Sequence, residues 1–311
     1  MACHHPIPAY LDTQGNVVFT SRRESLGRFG LMQLRCGICR GCKADHARDW
    51  AIRCYHEAQL HESSCFINPT YRDTHLPPHG SLSPRDLQLF FKRLRKAVAP
   101  VKIRYFACGE YGTKKGRPHY HVCLFGWRPA EKIIVGKSEK GHYQYSDSTL
   151  EKAWGLGHIT WTEFDSGCAR YTAHYTADKL KSFKKDEIDE KTGLRPYEIL
   201  DETTGEIQAL CPEFQRESRR PGLGMPWLER FWQEVFPADS VVMDGREYPP
   251  PRAYFHWLKE NQPEMYAIVS DKRRQALKDI PYETGVRVMQ RNIARSAKLA
   301  QLERPTHGEK A

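Results

Sequence analysis

The sequence predicts an α+β protein with a central antiparallel sheet flanked by helices. A cysteine-rich element precedes the sheet and a helical region follows it. Three observations point there. Residues 116–126, Gly-Arg-Pro-His-Tyr-His-Val-Cys-Leu-Phe-Gly, form a β-favouring run closed by glycine at both ends. Around it, strand-like runs at 64–69, 101–110 and 158–164 alternate with longer runs of helical periodicity. Ahead of them, Cys36, Cys39 and Cys42 stand with two residues between neighbours.

That cysteine spacing suits a tight turn around a tetrahedral zinc ion, which needs a fourth ligand. Cys3 is the first choice, and His4, His5 and His46 are the substitutes. The plain alternative is a reduced cysteine-rich turn without metal. Cys54, Cys65, Cys108, Cys123, Cys168 and Cys211 read as small buried hydrophobes, and a disulfide framework is not expected in a cytosolic protein. Residues 45–60, with Trp50, Cys54 and Ala58 four apart, read as a helix. Its basic neighbours Lys43, Arg48 and Arg53 suit phosphate or plain solvent equally. Residues 64–73 read as a strand running into a loop. Pro69 removes a ladder hydrogen bond, so the strand is expected to end there or to lie at an edge. Thr70 and Tyr71 either contact DNA or pack. Ser83 caps a helix opened by Pro84, with an apolar stripe of Leu87, Phe90, Phe91, Leu94 and Val98. Lys92, Arg93, Arg95 and Lys96 face outward.

Residues 101–110 read as a second strand, and the glycine-rich basic stretch 111–118 joins it to the 116–126 run as a hairpin. On a strand, alternate residues share a face. His119 and His121 therefore point one way, and Tyr120, Val122 and Leu124 the other. Two imidazoles on a rigid strand can chelate a divalent metal, and the hairpin carries Glu110 towards them. A His-x-His pair also occurs on exposed edge strands with no role. Residues 128–149 read as a polar insertion or loop, 150–154 as a short helix, and 158–164 as another strand. Residues 169–180 lack Gly and Pro and read as a helix. Tyr171, Tyr175 and Lys179 lie four apart and line one face. Taken alone, tyrosines at helical spacing indicate a buried face.

Residues 180–208 read as a solvated, partly mobile excursion. Residues 211–224 read as a basic loop, in which Arg216, Arg219 and Arg220 beside a glycine turn suit phosphate oxygens. Residues 226–236 form an amphipathic helical run. Residues 252–280 and 283–302 read as largely helical, and the tail 303–311 as disordered.

The bulk properties agree with a nucleic-acid partner. The 311 residues carry a formal net charge of +10, and the sequence pI is about 9.1; such a balance favours a polyanion. The 40% hydrophobic content suffices for a core. The mean hydropathy of −0.68, with no run of about 18 apolar residues, argues against a membrane protein. The first residues lack an apolar signal core, so export is not expected. No Gly-x-x-x-x-Gly-Lys-Ser/Thr loop is present, so no helicase motor is expected.

The order of parts, a first strand at 66–71, the His-hydrophobic-His strand and then a tyrosine helix, resembles the HUH endonucleases that start rolling-circle replication. The paired tyrosines and the layout are similar to the replication initiators of the small single-stranded DNA phages, the Microviridae, and within them the gokushovirus type. The early Cys with its Cys-Gly-x-Cys-x-x-Cys run, and Ser218-Arg219-Arg220-Pro221-Gly222, are similar too. The resemblance implies an HUH endonuclease core that nicks single-stranded or supercoiled phage DNA at the origin. It implies a 5′-phosphotyrosine intermediate and rejoining by strand transfer. His119 and His121 would hold Mg²⁺ or Mn²⁺, with Glu110 matching the family's acidic ligand only loosely in position. Tyr171 and Tyr175 would be the nucleophiles, with Lys179 beside them. Thr70, Tyr71, Arg117, Arg216, Arg219 and Arg220 would touch DNA. The implied partners are the phage origin and a host helicase and DNA polymerase, in the host cytoplasm. The family usually shows Phe-Leu-Thr-Leu-Thr-Tyr where this chain has Phe66-Ile67-Asn68-Pro69-Thr70-Tyr71, so Asn68 and Pro69 are departures.

The corresponding layout is a zinc element and helix at 1–62, the HUH core at 63–185, a basic loop region at 186–224, and a helical region with a mobile tail at 225–311. Two other readings use the same residues. One is an HUH transposase or relaxase; those often carry one catalytic tyrosine or more histidines. The other is a non-catalytic, zinc-stabilised nucleic-acid-binding protein, in which His119 and His121 are incidental.

Overall fold

The computed structural model describes residues 3, 5–12, 16–19, 31–112, 116–138, 141–180, 188–190, 192–201, 203–278, 290, 293–294 and 297. The chain divides into two units, residues 1–46 with 272–311 and residues 47–271.

The first unit contains a three-stranded antiparallel sheet that the sequence reading did not anticipate. Strands β1 (Ile7–Leu11), β2 (Val17–Val18) and β3 (Leu31–Leu34) pair in the order β2-β1-β3. Asp12 closes the first turn by accepting the Asn16 backbone N–H at 2.7 Å. Ile7 pairs with Leu34. Because the strands are antiparallel, the chain before Ile7 and the chain after Leu34 leave from the same end, and Cys3 meets Cys36 there. Helix α1 (Arg40–Ala58) starts five residues earlier than expected and takes in Cys42.

The second unit is organised by a seven-stranded antiparallel sheet. Its members are β4 (Ser64–Pro69), β5 (Arg104–Tyr111), β6 (Pro118–Phe125), β7 (Ile133–Lys137), β8 (Tyr143–Ser146), β9 (Ile159–Glu163) and β12 (Phe214–Glu217), in the order β12-β5-β6-β4-β9-β8-β7. β4 does end at Pro69, yet it is a central strand. Two regions read as loops are strands. Within 128–149, β7 and β8 form a hairpin that extends the sheet edge. Within 211–224, β12 pairs with β5. Both were missed because short polar strands at an edge carry weak alternation.

The two faces of the sheet are buried differently. On one, helix α2 (Pro84–Ala97) and helix α3 (Ser148–Trp154) cover Val122, Leu124, Ile67 and Trp161. Ser83 caps α2 by accepting the Asp86 N–H at 3.2 Å, and Leu87, Phe90, Phe91, Leu94 and Val98 are all buried. Lys92, Arg95 and Lys96 are exposed as expected. Arg93 departs in one respect: its guanidinium donates to the Ala153 and Trp154 carbonyls at 2.5 and 2.9 Å, closing the end of α3. On the other face, α1 and helix α4 (Ser166–Leu180) bring Ala51, Cys54, Ala169 and Ala173 against Phe66, Phe106, Cys123 and Phe125. The small residues Ala169 and Ala173, both 0% exposed, let α4 lie close to the sheet.

Beyond the sheet, β10 (Glu198–Leu200) and β11 (Ile207–Ala209) form a hairpin inside the region read as an excursion. Residues 181–187 of that excursion lie outside the described residues. Helix α5 (Met225–Ala238), strands β13 (Val241–Met243) and β14 (Arg246–Tyr248), helix α6 (Arg252–Asn261) and helix α7 (Pro263–Lys278) complete the order. They share a core of Leu228, Phe236, Met243, Tyr254, Leu258 and Val269. The expected 252–280 helix is interrupted at Gln262, because Pro263 cannot continue a helix from its N-terminal neighbour. The expected helix 283–302 falls almost wholly outside the described residues, and the tail 303–311 lies outside them.

Buried Glu57 joins three of these elements. It accepts from Arg104 of β5 at 2.5 Å, from the Gly224 N–H ahead of α5 at 2.8 Å, and sits 3.1 Å from His61. Burial pushes its carboxyl up, but these partners outweigh that and lower it. Gly224 has φ +72, and an added Cβ would meet Tyr254 Oη at 2.5 Å, so no other residue fits there. Arg53, read as a phosphate candidate, instead donates to the Leu223 carbonyl at 2.9 Å and stacks on Trp50.

Truncation of the α2 stripe tests this packing. Phe90→Ala removes a ring that is 0% exposed and is expected to cost about 3–5 kcal/mol in urea denaturation. Ile134→Ala, at a side chain 61% exposed, is expected to shift stability by no more than about 0.5 kcal/mol.

Candidate active site

The β5–β6 hairpin pairs Glu110 with His119 and Cys108 with His121. Residues directly opposite in an antiparallel pair share a face, so Glu110, His119 and His121 all stand on the α4 side of the sheet. The opposite side takes Tyr120, Val122 and Leu124, as the alternation required. One carboxylate oxygen serves both rings: Glu110 Oε1 lies 2.7 Å from His119 Nε2 and 3.0 Å from His121 Nε2. The three ligand atoms lie within 4.8 Å of one another.

The other ring nitrogens fix the tautomers. His121 Nδ1 lies 2.6 Å from Asn68 Oδ1, and His119 Nδ1 lies 3.1 Å from the Arg117 carbonyl. Both acceptors hold the proton on Nδ1 and leave the Nε2 lone pairs converging. Two nitrogen lone pairs and a carboxylate oxygen repel unless a cation or added protons lie between them. The donor set of two imidazoles and one carboxylate, with both rings oriented from behind, therefore fits a divalent metal. Glu110 Oε2 is buried without a hydrogen-bond partner among the described residues, leaving a second oxygen for the same purpose. Burial pushes the Glu110 carboxyl up, but its hydrogen bonds to the two histidines prevail and bring it down to about 2.

Asn68 is the residue the sequence reading passed over. It stood only as a departure from the family pattern, yet the β4–β6 register sets it opposite His121. Its signal was its alternation with Phe66 on the strand, which is usable only once the register is known.

Tyr171 of α4 reaches this face. Its ring meets that of His121 edge-on at a centroid distance of 5.0 Å, and that of Phe66 at 6.2 Å. Phe66 in turn stacks on His121 at 5.7 Å. Tyr175 and Lys179 continue α4 in backbone, but their side chains lie outside the described residues.

The residues named for DNA contact are distributed unequally. Thr70 bridges to His119 and is half-buried beside the triad. Tyr71 is 2% exposed. Its hydroxyl donates to Asp86 at 2.9 Å and lies 2.7 Å from that of Tyr120, so Tyr71 packs at the start of α2. Arg117 is engaged by Asp73 at 2.6 Å and by the Tyr71 carbonyl at 2.7 Å. Arg216 pairs opposite Ala107 and follows Phe214 to the α2 side, away from the triad. Arg219 meets Glu217 at 3.3 Å. Arg220 is exposed at φ 65.

The second cluster is the cysteine set. Cys3, Cys36, Cys39 and Cys42 bring their sulfurs within 4.8 Å of one another. The Cys36–Cys42 and Cys3–Cys39 sulfurs are 4.0 and 3.9 Å apart. Tetrahedral zinc with Zn–S bonds of about 2.3 Å sets its sulfurs about 3.8 Å apart, so the set fits zinc. The Cys36 and Cys39 N–H groups donate to Cys3 and Cys36 sulfurs at 3.3 Å each. Of the four residues considered for the fourth position, Cys3 is the one brought to this cluster. All ten cysteines are free of disulfides.

A family model for replication-associated proteins of the ORF2 type matches residues 64–180, the span from β4 to the end of α4. Replication-associated protein VP4 of Bdellovibrio phage phiMH2K is 29% identical over 90% of this chain and 84% of its own length. Replication-associated protein ORF2 of Spiroplasma virus 4 is 29% identical over 78% and 73%. Replication-associated protein ORF4 of Chlamydia phage 1 is 32% identical over 73% and 54%. No solved structure matches. These similarities fit a Microviridae-like rolling-circle initiator, as the motifs anticipated. No helix among the described residues is long and apolar enough to cross a membrane.

Two metal measurements test the geometry. Asn68→Ala should weaken Mn²⁺ binding by about 10- to 100-fold in calorimetric titration, with the circular dichroism spectrum retained; unchanged affinity would contradict the orienting role of Asn68. Elemental analysis of the purified chain should find one zinc, absent from Cys39→Ser.

Proposed function

We propose that this chain is an HUH-type endonuclease that opens and rejoins a phage origin during rolling-circle replication. The observation that supports this most is the convergence of Glu110 Oε1, His119 Nε2 and His121 Nε2 on the sheet face that Tyr171 also meets. The similarity to phage replication-associated proteins supports a replication initiator role.

The chemistry follows from what a phosphodiester resists. It is anionic and its alkoxide leaves poorly. Glu110, His119 and His121 would hold Mg²⁺ or Mn²⁺, which polarises the scissile phosphate and stabilises charge in the transition state. The Tyr171 hydroxyl, with an unperturbed pKa of about 10, attacks phosphorus. A bond forms between the tyrosine oxygen and phosphorus, the bond to the 3′ oxygen breaks, and that oxygen leaves as a hydroxyl carrying a proton. The DNA stays attached through its 5′ phosphate, while the 3′ hydroxyl serves a host polymerase. Because the phosphotyrosine ester retains the energy of the broken bond, attack by a 3′ hydroxyl rejoins the strand without ATP. Tyr175, one turn along α4, would act in alternation with Tyr171, and Lys179 would stabilise a phenolate.

In this reading phage DNA is the partner, unwinding comes from a host helicase, and the host cytoplasm is the place of action. The working division remains 1–62, 63–185, 186–224 and 225–311, with a structural zinc on Cys3, Cys36, Cys39 and Cys42. Thr70 lies nearest the triad among the DNA-contact candidates, and Arg219 and Arg220 offer phosphate contacts in the basic segment.

A denaturing gel tests the proposal. The chain is incubated with Mn²⁺ and a labelled single-stranded oligonucleotide pool covering its own genome. A protein–DNA adduct on the 5′-phosphate side is expected, lost on adding EDTA. It should persist in Tyr171→Phe and in Tyr175→Phe and vanish in the double variant. No adduct with a pool containing the origin would favour a binding protein without catalysis.

A further inference from the structure

The polar face of the sheet does not end at the triad. Two cross-strand rows leave it towards β9. In one, His121 stands opposite Asn68, and Asn68 opposite Thr160. In the other, Glu110 stands opposite His119, His119 opposite Thr70, and the Thr70 N–H donates to the His158 carbonyl at 2.8 Å. Thr160 therefore shares the triad's face, two strands away or about 10 Å.

At that end of the rows lies a cavity of about 300 Å³, lined by Arg72, Ser146, Glu151, Gly157, His158 and Thr160 among others. Its floor is built rather than incidental. An added Cβ at Gly157 would come within 2.2 Å of the Thr70 carbonyl oxygen and 2.5 Å of the Arg72 nitrogen, so the α3–β9 connection lies directly on the strand leaving β4. The Arg72 N–H donates to the Leu156 carbonyl at 3.0 Å, and Trp154 Nε1 donates to the Thr70 carbonyl at 2.8 Å. Exposed Val135 of β7 supplies an apolar wall.

We infer that this cavity receives one unpaired base of the DNA strand lying across the triad, and sets the base preference at that position. The inference rests on the nuclease reading for its substrate class. The chemistry is that of a base edge. Glu151 carries only acceptors and Arg72 only donors, so together they match a base that presents an exocyclic amine beside a ring acceptor. Guanine, cytosine and adenine have such an amine, and thymine does not. His158 and Thr160 add groups able to donate or accept. An extruded base read on its edge within a shaped pocket is a standard arrangement for enzymes acting on unpaired DNA.

The test uses the full chain and a single-stranded DNA pool randomised over a short window. The bound fraction is recovered without cleavage and sequenced, while a denaturing gel of the same mixture in Mn²⁺ reports adduct. The wild type should show one window position depleted of thymine by about 5- to 100-fold. Glu151→Gln, which keeps the shape of the side chain, should flatten that position and leave the preferences elsewhere in the window. Arg72→Gln should flatten the same position. Profiles identical to the wild type in both variants would overturn the inference, as would a wild type with no base preference or no bound DNA. The two readings separate cleanly. Adduct with unaltered profiles removes the pocket and keeps the nuclease; altered profiles without adduct keep the pocket and remove the nuclease.

Discussion

The candidate site depends on one pairing, Glu110 of β5 opposite His119 of β6. Side chains on a strand alternate with period two, so a slip of one residue would turn Glu110 to the far face and leave the imidazoles without a carboxylate. The slip is opposed from both sides of the sheet. Phe106, Cys123 and Phe125 are buried under α1 and α4, while Ala107, Tyr120, Val122 and Leu124 are buried under α2 and α3. Moving either strand by one position would exchange those sets and expose each to the wrong partner. The hydrophobic effect on both faces thus holds three polar atoms in register that would otherwise repel.

The same constraint orders the surroundings. β4 enters the sheet on the other side of β6, and its register delivers Asn68 to the back of His121. α4 approaches the face closely because Ala169 and Ala173 present little bulk, which brings the Tyr171 ring against His121. Buried polar atoms inside this region have partners supplied by the backbone, such as the Arg117 carbonyl behind His119. A rigid scaffold with locked tautomers is what a metal site needs before any ion arrives.

Much of this was legible in the sequence, for identifiable reasons. His119 and His121 sit in a β-favouring run between glycines, so their shared face followed from alternation alone. Glu110 followed from the short hairpin. Cys36, Cys39 and Cys42 followed from spacing, and α2 from its cap and stripe. Other features were not legible because they depend on register or on edges. Asn68 gained a role only through pairing with a strand more than 50 residues away in sequence. β7, β8 and β12 are short, polar or exposed, so alternation did not mark them, and Arg216 was consequently read on a loop when it stands on a strand facing away from the triad. The β1–β3 sheet joins Cys3 to Cys36 through the pairing of Ile7 with Leu34, a contact between segments that carry no strong strand signal.

The most direct test of the central claim is anomalous diffraction from crystals of the full chain soaked in Mn²⁺, recorded at the manganese edge. A single strong peak within coordination distance of Glu110, His119 Nε2 and His121 Nε2 is the expected result. A well-ordered Glu110–His119–His121 cluster with no manganese peak, or a peak held by other residues, would contradict a metal site organised by this hairpin.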